Sequence, residues 1–310
     1  MDTNILAAVY RNSLALFILN LLLIIPVFAA HISSAELQPE WSPAGQSVDY
    51  IVTIFNQGPD AIKEVRIYQN PNYTNFECKS KANWTLVKVH NYPDPELGTV
   101  DVCWYYTDNN HAIVNGSDET FRFSATTPQS GCNWRWKFET RDIRSQQGGE
   151  WRAIYDNTSI DDLPPNITKT IEEPNYGECP SGKNEVCWVT TSTQIKVNVT
   201  DQGTCGISGL DWCRITYTLD GFGPYEIIYK DLSGEESWEY TFNFSEESNH
   251  TLNITCKDIA GNIVTDIEEF KVDNTPPETN KTYGKPYFTD GTSEWITSST
   301  PIYLNAVDGG

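Results

Sequence analysis

Trp188 to Gly203 reads WVTTSTQIKVNVTDQG and Trp295 to Gly310 reads WITSSTPIYLNAVDGG, and the two stretches align without a gap, with eight identities in 16 positions. The displacement of 107 residues is about the length of one β-sandwich domain, ~100 residues. Outward from the first copy the period is two: Ile195, Val197, Val199; Ile215, Tyr217, Leu219; Trp238, Tyr240, Phe242; Leu252, Ile254, Cys256; then Phe270 and Val272. Alternation of this kind gives a strand one buried and one wet face, and no sustained helical period competes with it. The expectation is an all-β chain of tandem sandwiches.

The region upstream has the same grammar. Val48, Tyr50, Val52 and Ile54 alternate before Gln57-Gly58-Pro59-Asp60 breaks the run, and Phe121, Phe123, Ala125 and Trp134, Trp136, Phe138 alternate with polar neighbours. Pro164-Pro165 and Pro276-Pro277, 112 residues apart, read as semi-rigid joints. The expected organisation is a leader over residues 1–35, a first sandwich over 36–163, a second over 166–275, and the start of a third repeat over 278–310. A lone strand pair cannot bury its apolar face, so 278–310 should be poorly packed.

The leader reading rests on Arg11, an apolar run of 17 residues from Leu14 to Ala30, and the small residues Ser33-Ser34-Ala35, a signal peptide with cleavage expected after Ala35. An uncleaved N-terminal membrane anchor is the alternative, at the short end of a spanning helix. The chain carries 42 Asp and Glu against 21 Lys and Arg, a formal charge of −21, which excludes phosphate neutralisation and hence nucleic-acid binding. Eight Cys, an even number, are expected to form disulfides outside the cytosol. Ten Asn-X-Ser/Thr triplets start at Asn72, Asn83, Asn115, Asn157, Asn166, Asn198, Asn243, Asn249, Asn253 and Asn280. Asn198, Asn243 and Asn253 fall in the outward phase of their strands, where a glycan is accommodated.

At Asp258-Ile-Ala-Gly-Asn262 and Val272-Asp-Asn-Thr-Pro-Pro277 the second domain resembles the immunoglobulin-like repeats of large prokaryotic surface proteins. Gly261 supplies a positive φ for the turn and Asp258 can bond its backbone. Through Ser42-Pro-Ala-Gly-Gln-Ser-Val-Asp-Tyr50 and Thr53-Ile-Phe-Asn-Gln-Gly58 the first domain is similar to the cell-adhesion-related sandwiches of archaeal and bacterial envelopes, with Asn56-X-Gly58 ending a strand. The resemblance implies envelope spacers, adhesion modules or accessory domains, and its glycan-rich, acidic character points to archaea. The antibody-type bridge would need Cys at Val197 or Val199, and neither is Cys, so Cys256 lacks the partner that the resemblance implies.

Cys179 to Cys187 and Cys205 to Cys213 each enclose seven residues, a spacing that closes a short loop, and Cys78 is expected to pair with Cys103. That leaves Cys132 and Cys256 over; a rival pairing joins Cys213 to Cys256 and frees Cys205. Zinc on the two equal-length pairs is disfavoured, since zinc pairs are spaced by two to four residues. No nucleophile, metalloprotease or phosphate-loop motif occurs. His31 precedes the expected cleavage point, and His90, His111 and His250 sit in polar, turn-like stretches. The acidic pairs Asp161-Asp162, Glu235-Glu236 and Glu246-Glu247 read as solvated charge rather than as sugar chemistry.

Asp161, Asp162, Asp201, Asp273 and Asp308 lie near joints or strand ends, where surface domains collect calcium through oxygen ligands, although no ordered calcium-loop spacing is present. Exposed Trp could stack on sugars, but Trp134 and Trp136 alternate with charges and Trp188 and Trp295 recur at equivalent positions, which assigns them to core; Trp41, Trp104, Trp151 and Trp212 are less determined. The functional expectation is an exported, glycosylated cell-surface structural or adhesion protein, non-catalytic in this region. Its partners would be other surface proteins or glycans, with membrane contact only through the N-terminal segment or an anchor beyond residue 310. The alternatives are a glycan-binding adhesin module, or the accessory region of an extracellular enzyme whose catalytic domain follows residue 310.

Overall fold

The computed structural model describes residues 31–142, 149, 151–179 and 186–308; the apolar run read as a leader, Leu14 to Ala30, lies outside the described residues. Every regular element among them is a strand. In chain order these are β1 (Ser33–Gln38), β2 (Trp41–Pro43), β3 (Ser47–Asn56), β4 (Ile62–Tyr68), β5 (Thr74–Cys78), β6 (Thr85–Asp94), β7 (Gly98–Tyr106), β8 (Asp118–Thr126), β9 (Trp134–Asp142) and β10 (Trp151–Asp161). They are followed by β11 (Asn166–Ile171), β12 (Asn175–Tyr176), β13 (Cys187–Val189), β14 (Ile195–Thr200), β15 (Leu210–Leu219), β16 (Phe222–Glu235), β17 (Ser237–Phe242), β18 (Ser248–Asp258) and β19 (Ile263–Val272). The last are β20 (Glu278–Tyr283), β21 (Tyr287–Thr289), β22 (Glu294–Ile296) and β23 (Ile302–Val307). Two compact units result: one holds 31–40, Ser47–Thr126 and Trp134–Thr158, the other Trp41–Gln46, Thr127–Asn133 and the chain from Ser159 onward.

In the first unit a sheet ordered β1-β3-β8-β5 faces a second in which β10, β9, β4, β7 and β6 are neighbours. The alternating residues meet between them: Tyr50 on β3 and Phe123 on β8 lie 5.6 and 4.9 Å, centre to centre, from the fully buried Trp136 on β9. The Cys78–Cys103 disulfide joins β5 to β7 and so ties the two sheets together. Asn56, 1% exposed, ends β3 by donating to the carbonyls of Asp60 and Ile113, while its Oδ1 accepts from Gly58 N at 3.0 Å. A Cβ on Gly58 would stand 2.4 Å from the backbone nitrogen of Ile32, so only glycine admits the incoming chain there.

The cleavage point expected after Ala35 falls inside this incoming chain, within β1. Ser33, Ser34 and Ala35 form half of β1, paired in register with Asn56, Phe55 and Ile54. His31 is 1% exposed, with Nε2 2.9 Å from Thr140 Oγ1 and Nδ1 3.4 Å from Asp142. Burial depresses its pKa, against the pull of Asp142, and the Arg152 charge adds to the fall. Cleavage after Ala35 would strip β3 of half its edge partner and leave Thr140 and Asp142 without these contacts. Ser33, Ser34 and Ala35, the small residues on which the leader reading rests, here belong to an edge strand.

The second unit carries β11-β14-β17 against β12-β13-β19-β18-β15-β16. With the short β12 and β13 set aside, the first, second and fifth strands share one sheet, and the third, sixth and seventh share the other with the fourth, β16, beside the third; this is an immunoglobulin-type sandwich. Ile195, Val197 and Val199 from β14 meet Ile215, Leu252, Ile254, Phe270 and Val272 in its core. At one open side Lys169 on β11 bridges to Asp266 and Glu268 on β19. His250, placed by sequence in a polar turn, is 2% exposed on β18, its ring 4.2 Å from that of Phe244.

The repeat holds to the level of single hydrogen bonds. Thr190 N donates to Thr193 Oγ1 and Thr297 N to Thr300 Oγ1, both at 3.0 Å. Thr193 Oγ1 donates to the Pro174 carbonyl, and Thr300 Oγ1 likewise to that of Pro286. The shared Thr-X-Ser-Thr text therefore encodes a turn whose last hydroxyl, buried in both copies, anchors the short strand ahead of it. Downstream, β20 pairs with β23 and β21 with β22, leaving Tyr303, Leu304 and Val307 more than half exposed.

Candidate functional site

Three carboxylates converge in the second unit: Asp161 at the end of β10, Asp201 just after β14 and Asp258 at the end of β18. Each has a local reason to be there. Asp258 Oδ1 accepts from Gly261 N at 2.7 Å and Asn262 N at 2.8 Å, closing the β18–β19 turn around Gly261, whose φ is +105°. Asn262 Nδ2 in turn donates to Asp258 Oδ2 and to the Asp161 carbonyl. Asp201 Oδ2 accepts from Gly209 N at 2.6 Å and Asp161 Oδ2 from Ser208 N at 2.8 Å, while Asp162 accepts from Thr204 N. The loop from Asp201 to Gly209 is thus pinned by carboxylates, and the Cys132–Cys205 disulfide fixes its middle.

One oxygen from each of the three lies within 4.8 Å of the others, and Asp161 and Asp258 are fully buried. Burial pushes the Asp258 carboxyl up to about 6, opposed by the bonds from Asn262 and Gly261, and the Asp161 charge adds to the rise. Burial raises Asp201 too, against the Gly209 amide and with the same charge of Asp161 adding. No Lys, Arg or His forms a salt bridge with these three among the described residues. Oxygens across a calcium ion, each about 2.3–2.6 Å from it, stand about 5 Å apart, so the spacing suits a shared hard cation. Of the five joint aspartates named from sequence, only Asp161 and Asp201 enter the group. Asp258 was legible only as a turn residue, although its DIAGN motif was the available signal.

Asp273 and Asp308 instead border a cleft of about 630 Å³ with Tyr176 and Trp188. Tyr176 is 80% exposed and Trp188 38%, and Trp295 is 50% exposed, so the recurring Trp pair is not core as its repetition suggested. Recurrence here marks the short strands β13 and β22, where Trp188 stands opposite Tyr176 and Trp295 opposite Phe288 in the antiparallel pairing. None of the ten triplet asparagines is buried; nine are exposed and Asn253 is half-buried, with Thr255 Oγ1 donating to its Oδ1 at 3.1 Å.

All eight Cys are paired. Cys78–Cys103 and Cys179–Cys187 join the partners expected from sequence, Cys213 bonds Cys256 as in the rival pairing, and Cys205, free in that pairing, bonds Cys132. The expected Cys205–Cys213 link fails because Cys213 points into the core of its sheet while Cys205 lies on the loop outside it.

No family model matches the chain, and no curated protein matches it. Among solved structures the chain is similar to an uncharacterised protein from Nocardia farcinica described as having an immunoglobulin-like fold, at 16% identity over 39% of this chain and 81% of that one, with a TM-score of 0.29. It is similar to the C-terminal domain of the Streptococcus agalactiae antigen I/II polypeptide BspA, at 10% identity over 77% and 100%, TM-score 0.34. It is also similar to the Yersinia pseudotuberculosis adhesin InvE, at 9% identity over 80% and 62%, TM-score 0.27.

Proposed function

We propose that this chain is an exported, N-glycosylated, non-catalytic element of a prokaryotic cell surface, archaeal in setting, in which tandem sandwiches serve a structural or adhesive role. The observation that carries the reading is the pairing of all eight Cys, since four disulfides in one chain are characteristic of an oxidising, extracytosolic environment and rare in a reducing cytosol. The acidic surface and the unburied glycosylation triplets support it, as both keep an extended protein hydrated and unaggregated. Its mechanism is mechanical: inter-sheet and loop disulfides limit unfolding, and the Pro-Pro steps stiffen the connections between repeats. Calcium is the cation suited to Asp161, Asp201 and Asp258, where it would neutralise three clustered charges and brace the loop to Gly209. Protease shaving of intact cells tests the reading: release of peptides from residues 36–308 supports it, and their recovery only after lysis overturns it.

A further inference from the structure

Trp188 belongs to a row of directly paired residues that crosses four strands on the outer face of the larger sheet: Tyr176 on β12, Trp188 on β13, Lys271 on β19 and Asn249 on β18. The opposite face of these strands holds the buried Cys187, Phe270 and His250. Lys271 Nζ lies 4.9 Å from the Trp188 ring centre. Trp188, Lys271 and Asn249 border one cleft of about 400 Å³ with Glu247 and Asp273, and the indole is the large apolar side chain in a lining that is polar but for Val272. That suits one sugar ring, which presents an apolar C–H face to an aromatic and hydroxyls to carboxylates. It does not suit a protein partner, whose interface needs about 1,000 Å².

Asn249-His250-Thr251 is a glycosylation triplet, and Asn249 is exposed, its Nδ2 donating to Asp220 Oδ1 at 3.2 Å. A substituted amide keeps one N–H, so this bond can persist and orient the first sugar. Asn249 and Trp188 are two strands apart, ~9.5 Å, roughly the reach of two linked sugars. We propose that the glycan carried on Asn249 folds back across Lys271 and stacks on Trp188, so that the chain covers its own exposed indole. The inference rests on the reading of the chain as an exported glycoprotein.

Hydroxyl-radical footprinting of the whole native protein, read by peptide mass, tests it. Wild type should show glycosylated Asn249. Its Trp188 should be oxidised about threefold less than in Thr251→Ala, a change fitting cover of a side chain 38% exposed. Thr251→Ser, which keeps the triplet, and Thr282→Ala, which removes the distant one at Asn280, should both match wild type, and Asn249→Asp gives a second bare variant should Thr251→Ala misfold. Glycosylated Asn249 with equal Trp188 oxidation in wild type and bare variants overturns the proposal, whether the indole is open in both or covered in both by a soluble sugar or another chain. Bare Asn249 beside other occupied sites overturns it too, while ten bare sites overturn the glycoprotein reading itself.

Discussion

Cys213 and Cys256 stand directly opposite each other in the antiparallel pairing of β15 with β18 and are bonded, so this disulfide of the second sandwich lies within one sheet rather than between two. The core between its sheets also packs Val197 and Val199 with Ile254 and the aromatic Phe242 and Phe270. The first sandwich does the opposite, with Cys78–Cys103 crossing between sheets.

The Cys132–Cys205 bridge spans a sequence separation of 73, against 8 for Cys179–Cys187. Loop-closure entropy assigns about 4 kcal/mol to the first and about 2.5 kcal/mol to the second. Denaturant unfolding of the paired Ala variants should rank them in that order. Equal losses would show that the long link does not restrain the unfolded chain.

The mature chain should begin no later than His31, because β1 needs Ser33–Gln38 and the buried His31 occupies the space beside Asp142. N-terminal sequencing of exported material checks this, and a start at Glu36 would contradict it. A recombinant chain starting at Glu36 should lose about 2–4 kcal/mol through the missing half of β1 and the lost His31 contacts.

Much of this architecture was legible in particular residues. Period-two runs such as Ile195-Val197-Val199 placed strands and their buried faces, and the text shared by the Trp188 and Trp295 copies marked a turn that both form. What escaped was whatever depends on contact between distant segments. Cys132 meets Cys205, and Asp258 meets Asp161, through topology that no local spacing encodes. The exposure of Trp188 escaped as well: its recurrence suggested core, but the indole stands in the outward phase of β13, between the buried Cys187 and Val189.

Asp94 and Lys137 form a buried pair at 2.6 Å, each residue 6% exposed, with Glu96 and Glu139 also facing the ammonium. Burial works to raise the Asp94 pKa, but Lys137 and the amides of Leu97 and Glu96 prevail and hold it below its ordinary 3.8. A depressed acid stabilises the fold above its unfolded value and loses that contribution as pH falls through the folded value. Thermal melts should therefore decline as pH drops to 3.8 and further below it. Asp94→Asn should flatten that decline while costing roughly 3 kcal/mol at neutral pH; an unchanged acid limb would dismiss the pair as its source.

Calcium should raise the melting temperature of the native chain, and chelator should reverse the shift. At 100 times the dissociation constant the gain is about 2.7 kcal/mol. Asp201→Asn should abolish the response, and magnesium, which prefers a tighter octahedral shell, should give less of it. An identical melt with calcium and with chelator would remove the cation from the account.

Peptide mapping of unreduced protein taken from intact cells bears most directly on the claim that this chain lives outside the cytosol as a disulfide-braced sandwich array. The expected result is four linked peptides, joining Cys78 to Cys103, Cys132 to Cys205, Cys179 to Cys187 and Cys213 to Cys256. Recovery of these cysteines as free thiols in native material would contradict it.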